Sequence, residues 1–434
     1  MNEINTKNRT QVKSRIVITL LATIIMACML YSDRNVHFDN FSESFAVSMI
    51  NAAKYDVDIS SHKYGLAQIR AEGKEEWSYF EAYDIYADGE LFDGRINEYH
   101  SQLGLQGWIF YFLTKAGIPS PVFVFRVVCC LLLSLLLSLI CHELYKKYGL
   151  LLSVAFFIAS MVSPILGDFS TNLYWVPFTW FIPMYLGLLC LNNIDKRIWL
   201  YPLFFLAILV KSACGYEYIT VIMLSSVMFL FAEFVVCLKN DRQRSKLIFK
   251  SILSIGVVSL LGFVSALTIH SYIRGDGNIL VGLDNIYRVD VLRRTFGNAL
   301  EFHEGYADSL NASILSVLMR YPVYTEAGKV ASFALVGCSA SFLYAICKKR
   351  NLLNADFLLF ISSLITCISW FVLGKEHSYS HIGLNNVMLY MGFIQIGFYV
   401  LVKNVLMILH ENKEKVMTYG RMFVHRLKED INRD

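Results

Sequence analysis

Apolar residues fall along this chain in runs of roughly 17 to 24, a length that spans a hydrocarbon core as helix. Backbone groups in lipid must be satisfied within their own segment, so such runs read as helices rather than strands. Alternating segments of about ten residues, the sign of an outer-membrane barrel, are absent. The pattern predicts an all-α polytopic membrane protein of about ten transmembrane helices, over residues 16–31, 121–141, 150–166, 175–191, 199–213, 219–238, 247–270, 330–347, 357–373 and 386–408. The connections at 32–120 and 271–329 are long, and residues 409–434 form a basic tail.

Composition agrees with this reading. Of 434 residues, 56% are apolar and only 17% charged, against about half and a quarter in an ordinary soluble domain. The ten cysteines fall almost wholly inside apolar runs, for example Cys28, Cys129, Cys130, Cys190 and Cys367. They imply neither a disulfide framework nor a metal site. The basic lead Lys7, Arg9, Lys13 and Arg15 precedes the first run without a small-x-small cleavage site after it, so that run reads as a retained signal anchor.

The net charge of +4 matters less than its placement. Lys146-Lys147, Lys196-Arg197, Lys239/Arg242/Arg244/Lys246 and Lys348-Lys349-Arg350 lie on one side of the predicted bundle, with residues 1–15 and the tail. The positive-inside bias then puts both termini in the cytoplasm and the long loops outside. The tail, with Lys413, Lys415, Arg421, Arg426 and Lys428, reads either as a basic amphipathic helix on an anionic leaflet or as a solvated extension.

Both long loops are too aromatic and apolar to be disordered. Helical spacing of Phe41, Phe45, Met49 and Ile50, and of Leu103, Leu105, Trp108, Ile109 and Phe112, predicts two short interfacial helices in the first loop. No internal repeat supports an inverted-repeat transporter. The cytoplasmic connections carry no Walker loop and no dinucleotide fingerprint. A substrate presented on the outer side, carried by lipid, fits better than a cytoplasmic nucleotide.

Four clusters on that outer side could carry chemistry. The first follows the first span, with Asp33, Asp39 and Glu43. A carboxylate on a loop over the mouth of a bundle can act as a general base, or it can be plain loop solvation. The second is Arg126, inside an apolar run. At the bilayer centre an Arg costs on the order of 2.5–3.5 kcal/mol; it needs a partner or a cavity and is a functional hypothesis by default. The third is Lys211 with Glu217, at a tight turn, either a mutual ion pair or part of a site. The fourth runs from Lys375 through Glu376 and His377 to His381. Its two histidines, four residues apart, would share a helix face, but no third metal ligand follows. The second long loop adds Arg274, Asp276, Arg288, Arg293 and Arg294.

The order of these features resembles the GT-C class of membrane glycosyltransferases, which take sugar from a polyprenyl phosphate. His37-Phe38-Asp39-Asn40-Phe41 resembles that class's acidic motif after the first span, with Asn40 where a second acid often stands. Tyr99-His100-Ser101-Gln102-Leu103-Gly104 resembles its His-Pro-Pro-Leu segment without the prolines. Gly117-Ile118-Pro119-Ser120-Pro121 followed by Phe125-Arg126 resembles the turn and Arg that lead the second span. The likeness covers roughly residues 15 to 220 and is looser beyond. Size and the large first loop resemble the phage-type serotype-converting glucosyltransferases, which decorate O-antigen at the periplasmic face.

The resemblance implies a bacterial inner-membrane enzyme that moves a sugar, glucose by the narrower likeness, from polyprenyl phosphate to O-antigen or another lipid-linked glycan. It implies inversion by an Asp general base, Asp39 with Asp33 next and Glu217 as a further acid. It implies phosphate and donor contacts from Arg126, Lys211, Arg274, Lys375, His377 and His381, with no metal or other cofactor. Implied partners are the lipid-linked donor, the glycan acceptor, membrane lipids, a cytoplasmic-side polyprenyl-phosphate sugar synthase and a flippase, and no nucleic acid. An O-antigen polymerase or ligase is the nearest rival, with its arginine-bearing outer loops. A transporter or lipid-linked glycan flippase is the rival from another class.

Overall fold

The computed structural model describes residues 2–32, 34–35, 37–73, 81–89, 92–347, 354–410 and 413. After α1 (Asn2–Ser32) the first long loop holds α2 (Asn40–Lys54), β1 (Ala67–Ala71), α3 (Glu81–Ala87), β2 (Phe92–Glu98) and α4 (Leu105–Lys115). The first bundle segment is α5 (Pro121–Tyr148), α6 (Leu150–Met161), α7 (Pro164–Ser170), α8 (Phe178–Asn192), α9 (Tyr201–Cys214), α10 (Ile219–Ser225), α11 (Met228–Asn240) and α12 (Arg242–Arg274). The second long loop coils through α13 (Ile279–Asn285), α14 (Leu292–Arg294), α15 (Ala307–Asn311) and α16 (Ile314–Tyr324). The chain finishes with α17 (Glu326–Cys347), α18 (Ala355–Leu373), α19 (Lys375–Ser380), α20 (Ile382–Asn385) and α21 (Phe393–His410).

The molecule is an all-helical polytopic membrane protein with a single two-stranded sheet among the described residues. Seven described helices are long and apolar enough to cross a membrane, and nine segments are if each bent pair counts as one span. α8, with 15 residues, stands where the remaining predicted span lies. It is about 22 Å long, short of a hydrocarbon core of about 30 Å. α12 errs the other way. Its 33 residues reach about 50 Å, so its last turns stand among the loops.

Two of the predicted spans are broken, each for a local reason. α6 and α7 meet at 67°. Pro164 opens α7, and the Ser163 hydroxyl accepts its first free amide, from Leu166, at 3.2 Å. Gln395 of α21 donates to Ser160 Oγ at 3.2 Å, so the break is pinned from the opposite helix. α10 and α11 meet at 42°. There Gly187 of α8 lies against the bend, and a Cβ in its place would sit 2.0 Å from the Ser226 carbonyl oxygen.

The first long loop departs from the expectation of two interfacial helices. Both helices form, but α2 is buried at every position from Glu43 to Ala53. Small side chains (Ser44, Ala46, Ser48, Ala52, Ala53) let neighbours close on all its sides, and its polar groups find partners. Asn51, for example, donates to the Ala82 carbonyl at 2.8 Å. α4 keeps the expected character, with Ile109, Phe112 and Leu113 exposed. β1 and β2, which the apolar pattern did not single out, pair antiparallel with Ile69 opposite Ile96. The predicted tail helix lies outside the described residues, save for Lys413.

Candidate functional site

The loop end of the bundle encloses a cavity of about 640 Å³, within the 300–1,000 Å³ range usual for small-molecule sites. Its walls come from six separate stretches of chain. α2 and the turn before it supply Asp39, Phe41, Ser42 and Phe45; the approach to α4 supplies Tyr99 and Ser101; the α7–α8 turn supplies Tyr174 and Trp175. Glu217 follows α9, and α14 and the residues after it bring Arg293, Arg294 and Tyr306. Glu376, His377, His381 and Leu384 close the far side.

Asp39 is the N-cap of α2, in a left-handed conformation with φ 48°. One carboxylate oxygen accepts the Ser42 hydroxyl at 3.0 Å, and the other accepts the Trp175 indole N–H at 2.6 Å. Trp175 is itself held. It stacks on Tyr218 at 5.6 Å, and its backbone amide donates to the Asn172 side chain at 3.3 Å. Asn172 also donates to the Phe38 carbonyl at 3.3 Å, joining the turn to the segment that carries Asp39. Burial pushes the Asp39 carboxyl above the usual aspartate range, against the Trp175 and Ser42 hydrogen bonds that lower it. No cation touches it among the described residues, so its carboxylate is more basic than that of an exposed aspartate.

Glu217 has a different setting. It lies 3.5 Å from Arg294, and both are mostly buried. His377 and His381 lie ring to ring at 4.7 Å. Burial holds both imidazoles below the ordinary histidine range, His377 further than His381, where the Glu376 carboxylate opposes the effect. His377 is fixed by Asn385, whose amide donates to the His377 carbonyl at 2.9 Å. Glu376 accepts from Ser380 at 2.7 Å and Ser309 at 3.1 Å.

Of the predicted site residues, Asp39, Glu217, His377 and His381 therefore line one cavity. Asp33 lies outside the described residues. The predicted cations do not line the cavity. Arg126 is engaged by Glu43, through Nε at 3.1 Å and a second bond from Nη2. Glu43 also accepts from Tyr83 and, at 3.0 Å, from the Leu173 amide, so this buried pair fastens α2 to α5 and to the turn holding Trp175. Lys211 is buried and donates to the Gly215 carbonyl. Lys375 donates to the Leu310 carbonyl. Arg274 stands near Tyr64 and His100 and does not line the cavity. The cations at the cavity are Arg293 and Arg294. In the sequence they are two charges among several in the second long loop, with nothing to mark them out.

A second hollow of about 490 Å³ opens between α6, α7, α17 and α21. It is mostly apolar, lined by residues such as Ile158, Val162, Val330, Phe333 and Phe398, with Asp168, Glu326, Asn386 and Tyr390 among its lining groups. The stretch from His381 to Tyr390 contributes to both hollows.

No family model matches the chain, and no curated protein or solved structure matches it. The class that fold and site define together is a multi-pass membrane protein with a polar, aromatic-walled cavity at the end of the bundle that carries the long loops.

Proposed function

We propose that the protein is a membrane glycosyltransferase that moves a sugar from a polyprenyl-phosphate carrier to a lipid-linked glycan, with Asp39 as general base. The observation that carries this reading is the company Asp39 keeps. A half-buried carboxyl that no cation among the described residues neutralises faces a cavity walled by aromatic rings, with two guanidinium groups at the same cavity. Aromatic faces suit sugar rings, and cations suit a departing phosphate.

In the reaction, the acceptor hydroxyl oxygen attacks the anomeric carbon as its proton passes to Asp39. The bond from that carbon to the phosphate oxygen breaks, and its electron pair leaves with the polyprenyl phosphate. Attack from the face opposite the leaving group inverts the anomeric centre. The apolar hollow beside the cavity suits the carrier's hydrocarbon tail, since one stretch of chain borders both.

The narrower reading is glucosylation of O-antigen at the periplasmic face of a bacterial inner membrane, with both termini cytoplasmic. It rests on the resemblance to serotype-converting enzymes and on the basic residues that flank the spans. One observation favours a second reading, an O-antigen polymerase or ligase: the paired arginines of the second long loop reach the cavity. Mass analysis of the glycan from cells with and without the protein separates the two. A hexose gained per repeat unit supports the transferase. A changed chain length with unchanged repeat mass supports the polymerase.

A further inference from the structure

Six positively charged or imidazole groups were candidates for the donor's phosphate. Within the fold, four of them, Arg126, Lys211, Arg274 and Lys375, do not line the cavity and have other neighbours. The remaining two, His377 and His381, are held below the usual histidine range by burial and bring little positive charge at neutral pH.

Arg293 and Arg294 differ from all of these. A guanidinium offers five N–H groups. Arg293 donates one to Tyr306 Oη at 3.1 Å and one, at 3.4 Å, to the Val289 carbonyl. Its nearest acid, Asp290, lies 3.9 Å away, beyond hydrogen-bond reach. Arg294 meets Glu217 at 3.5 Å, well outside the 2.7–2.9 Å usual for a charge-assisted bond. Each therefore keeps donors in hand at the cavity wall, and the Tyr306 hydroxyl lies beside them.

We infer that Arg293, Arg294 and Tyr306 form the site for the donor's phosphate, and that Glu217 is the counter-ion this phosphate displaces. The inference rests on the transferase reading for the donor's identity, but the anion site itself is a matter of geometry. Charge makes the displacement necessary. Two guanidinium groups share the cavity with three carboxylates, Asp39, Glu217 and Glu376. A phosphate gains there only where one acid gives way. Glu217 is the acid within ion-pair reach of Arg294, and the long contact between them is easily exchanged. Glu376 is occupied by two serine hydroxyls, and Asp39 by Trp175 and Ser42. Glu217 thus becomes a placeholder that balances Arg294 when no substrate is bound, in place of a second catalytic acid.

The test uses the purified full-length protein in detergent, with geranyl monophosphate as the probe and inorganic phosphate and geraniol as comparison ligands. Binding is read by calorimetry. Arg293→Gln and Arg294→Gln are expected to weaken geranyl monophosphate tenfold or more. Glu217→Gln is expected to tighten it severalfold, and Lys375→Gln to leave it unchanged. Weaker binding of inorganic phosphate with the same order among variants places the recognition at the phosphate; geraniol binding as tightly as its phosphate would overturn it. Unchanged affinity in Arg293→Gln, or weaker binding in Glu217→Gln, would also overturn the inference. Neither depends on Arg294→Gln folding. Arginine-dependent binding by a protein that transfers no sugar would sink the transferase reading alone. Sugar transfer with arginine-independent binding would sink this inference alone.

Discussion

Replacing Trp175 by Phe tests the environment of Asp39 without touching the acid. The indole N–H donates to one Asp39 oxygen at 2.6 Å, a hydrogen bond to a charged group worth about 1.5–3 kcal/mol. Phe keeps an aromatic ring for the stack on Tyr218 and the edge contact with Phe169, so the wall of the cavity stays filled. What disappears is a bond that favours the ionised carboxyl. Its loss should therefore raise the Asp39 carboxyl, already raised by burial, still further. Because the base must be ionised, activity falls as pH drops through its pKa. The acid limb of sugar transfer should therefore move to higher pH, by about one unit for each 1.36 kcal/mol of that bond that is lost. The plateau at higher pH should be largely kept, since a more basic carboxylate is no worse at taking a proton. The assay is transfer from a polyprenyl-phosphate sugar to a glycan acceptor in membrane vesicles across the acid range. An acid limb that stays in place in Trp175→Phe would falsify the assignment of Asp39 as the group that titrates in catalysis.

Other perturbations probe the frame around the site. Arg126→Met leaves Glu43 buried without its cation, at a cost of roughly 3–5 kcal/mol. The expected result is a lower melting temperature in detergent, partly restored by adding Glu43→Gln. A loss of donor affinity with unchanged stability would instead return Arg126 to the binding site. Gly187→Ala pushes a Cβ against the Ser226 carbonyl, and the yield of folded protein should drop sharply, while Gly256→Ala, with open space around it, should be silent. Acid should destabilise the loop end. His377 and His381 have folded pKa values below the unfolded value of about 6.5, so the unfolded state takes up protons first. Stability present above about pH 6.5 is lost as pH falls below it, and His377→Gln should flatten that slope in thermal melts.

The spans were legible in the sequence because lipid imposes a contiguous apolar run on any helix that crosses it. Their breaks were harder to see. Pro164 marks one, but the run around it is apolar from end to end, and only Ser163 and Gln395 show that the chain turns there. The antiparallel pair of β1 and β2 hid because its strands are short and far apart in sequence, although Ala67-Gln68-Ile69-Arg70-Ala71 alternates as a strand should. Burial of α2 was invisible for a related reason. Its apolar spacing suits an interface as well as a core, and only the neighbours decide.

For the site, Asp39, Glu217, His377 and His381 stood out because polar groups at the mouth of an apolar bundle need a reason to be there. Arg126 stood out for the same reason, but a buried carboxylate elsewhere in the chain satisfies an intramembrane arginine as well as a ligand does, and spacing cannot show that Glu43 is that carboxylate. Arg293 and Arg294 were the converse case. In a loop rich in charge nothing distinguishes them from Arg288, which pairs on the surface with Asp284; only the coiling of α13 to α15 turns them into the cavity.

The central claim is that the cavity around Asp39 transfers sugar, and the mass of the glycan made in cells reads it most directly. Cells carrying the wild-type protein should gain one hexose per repeat unit. Cells with Asp39→Asn, in which the protein inserts and accumulates normally, should show the unmodified mass. A full hexose gain with Asp39→Asn would contradict the account.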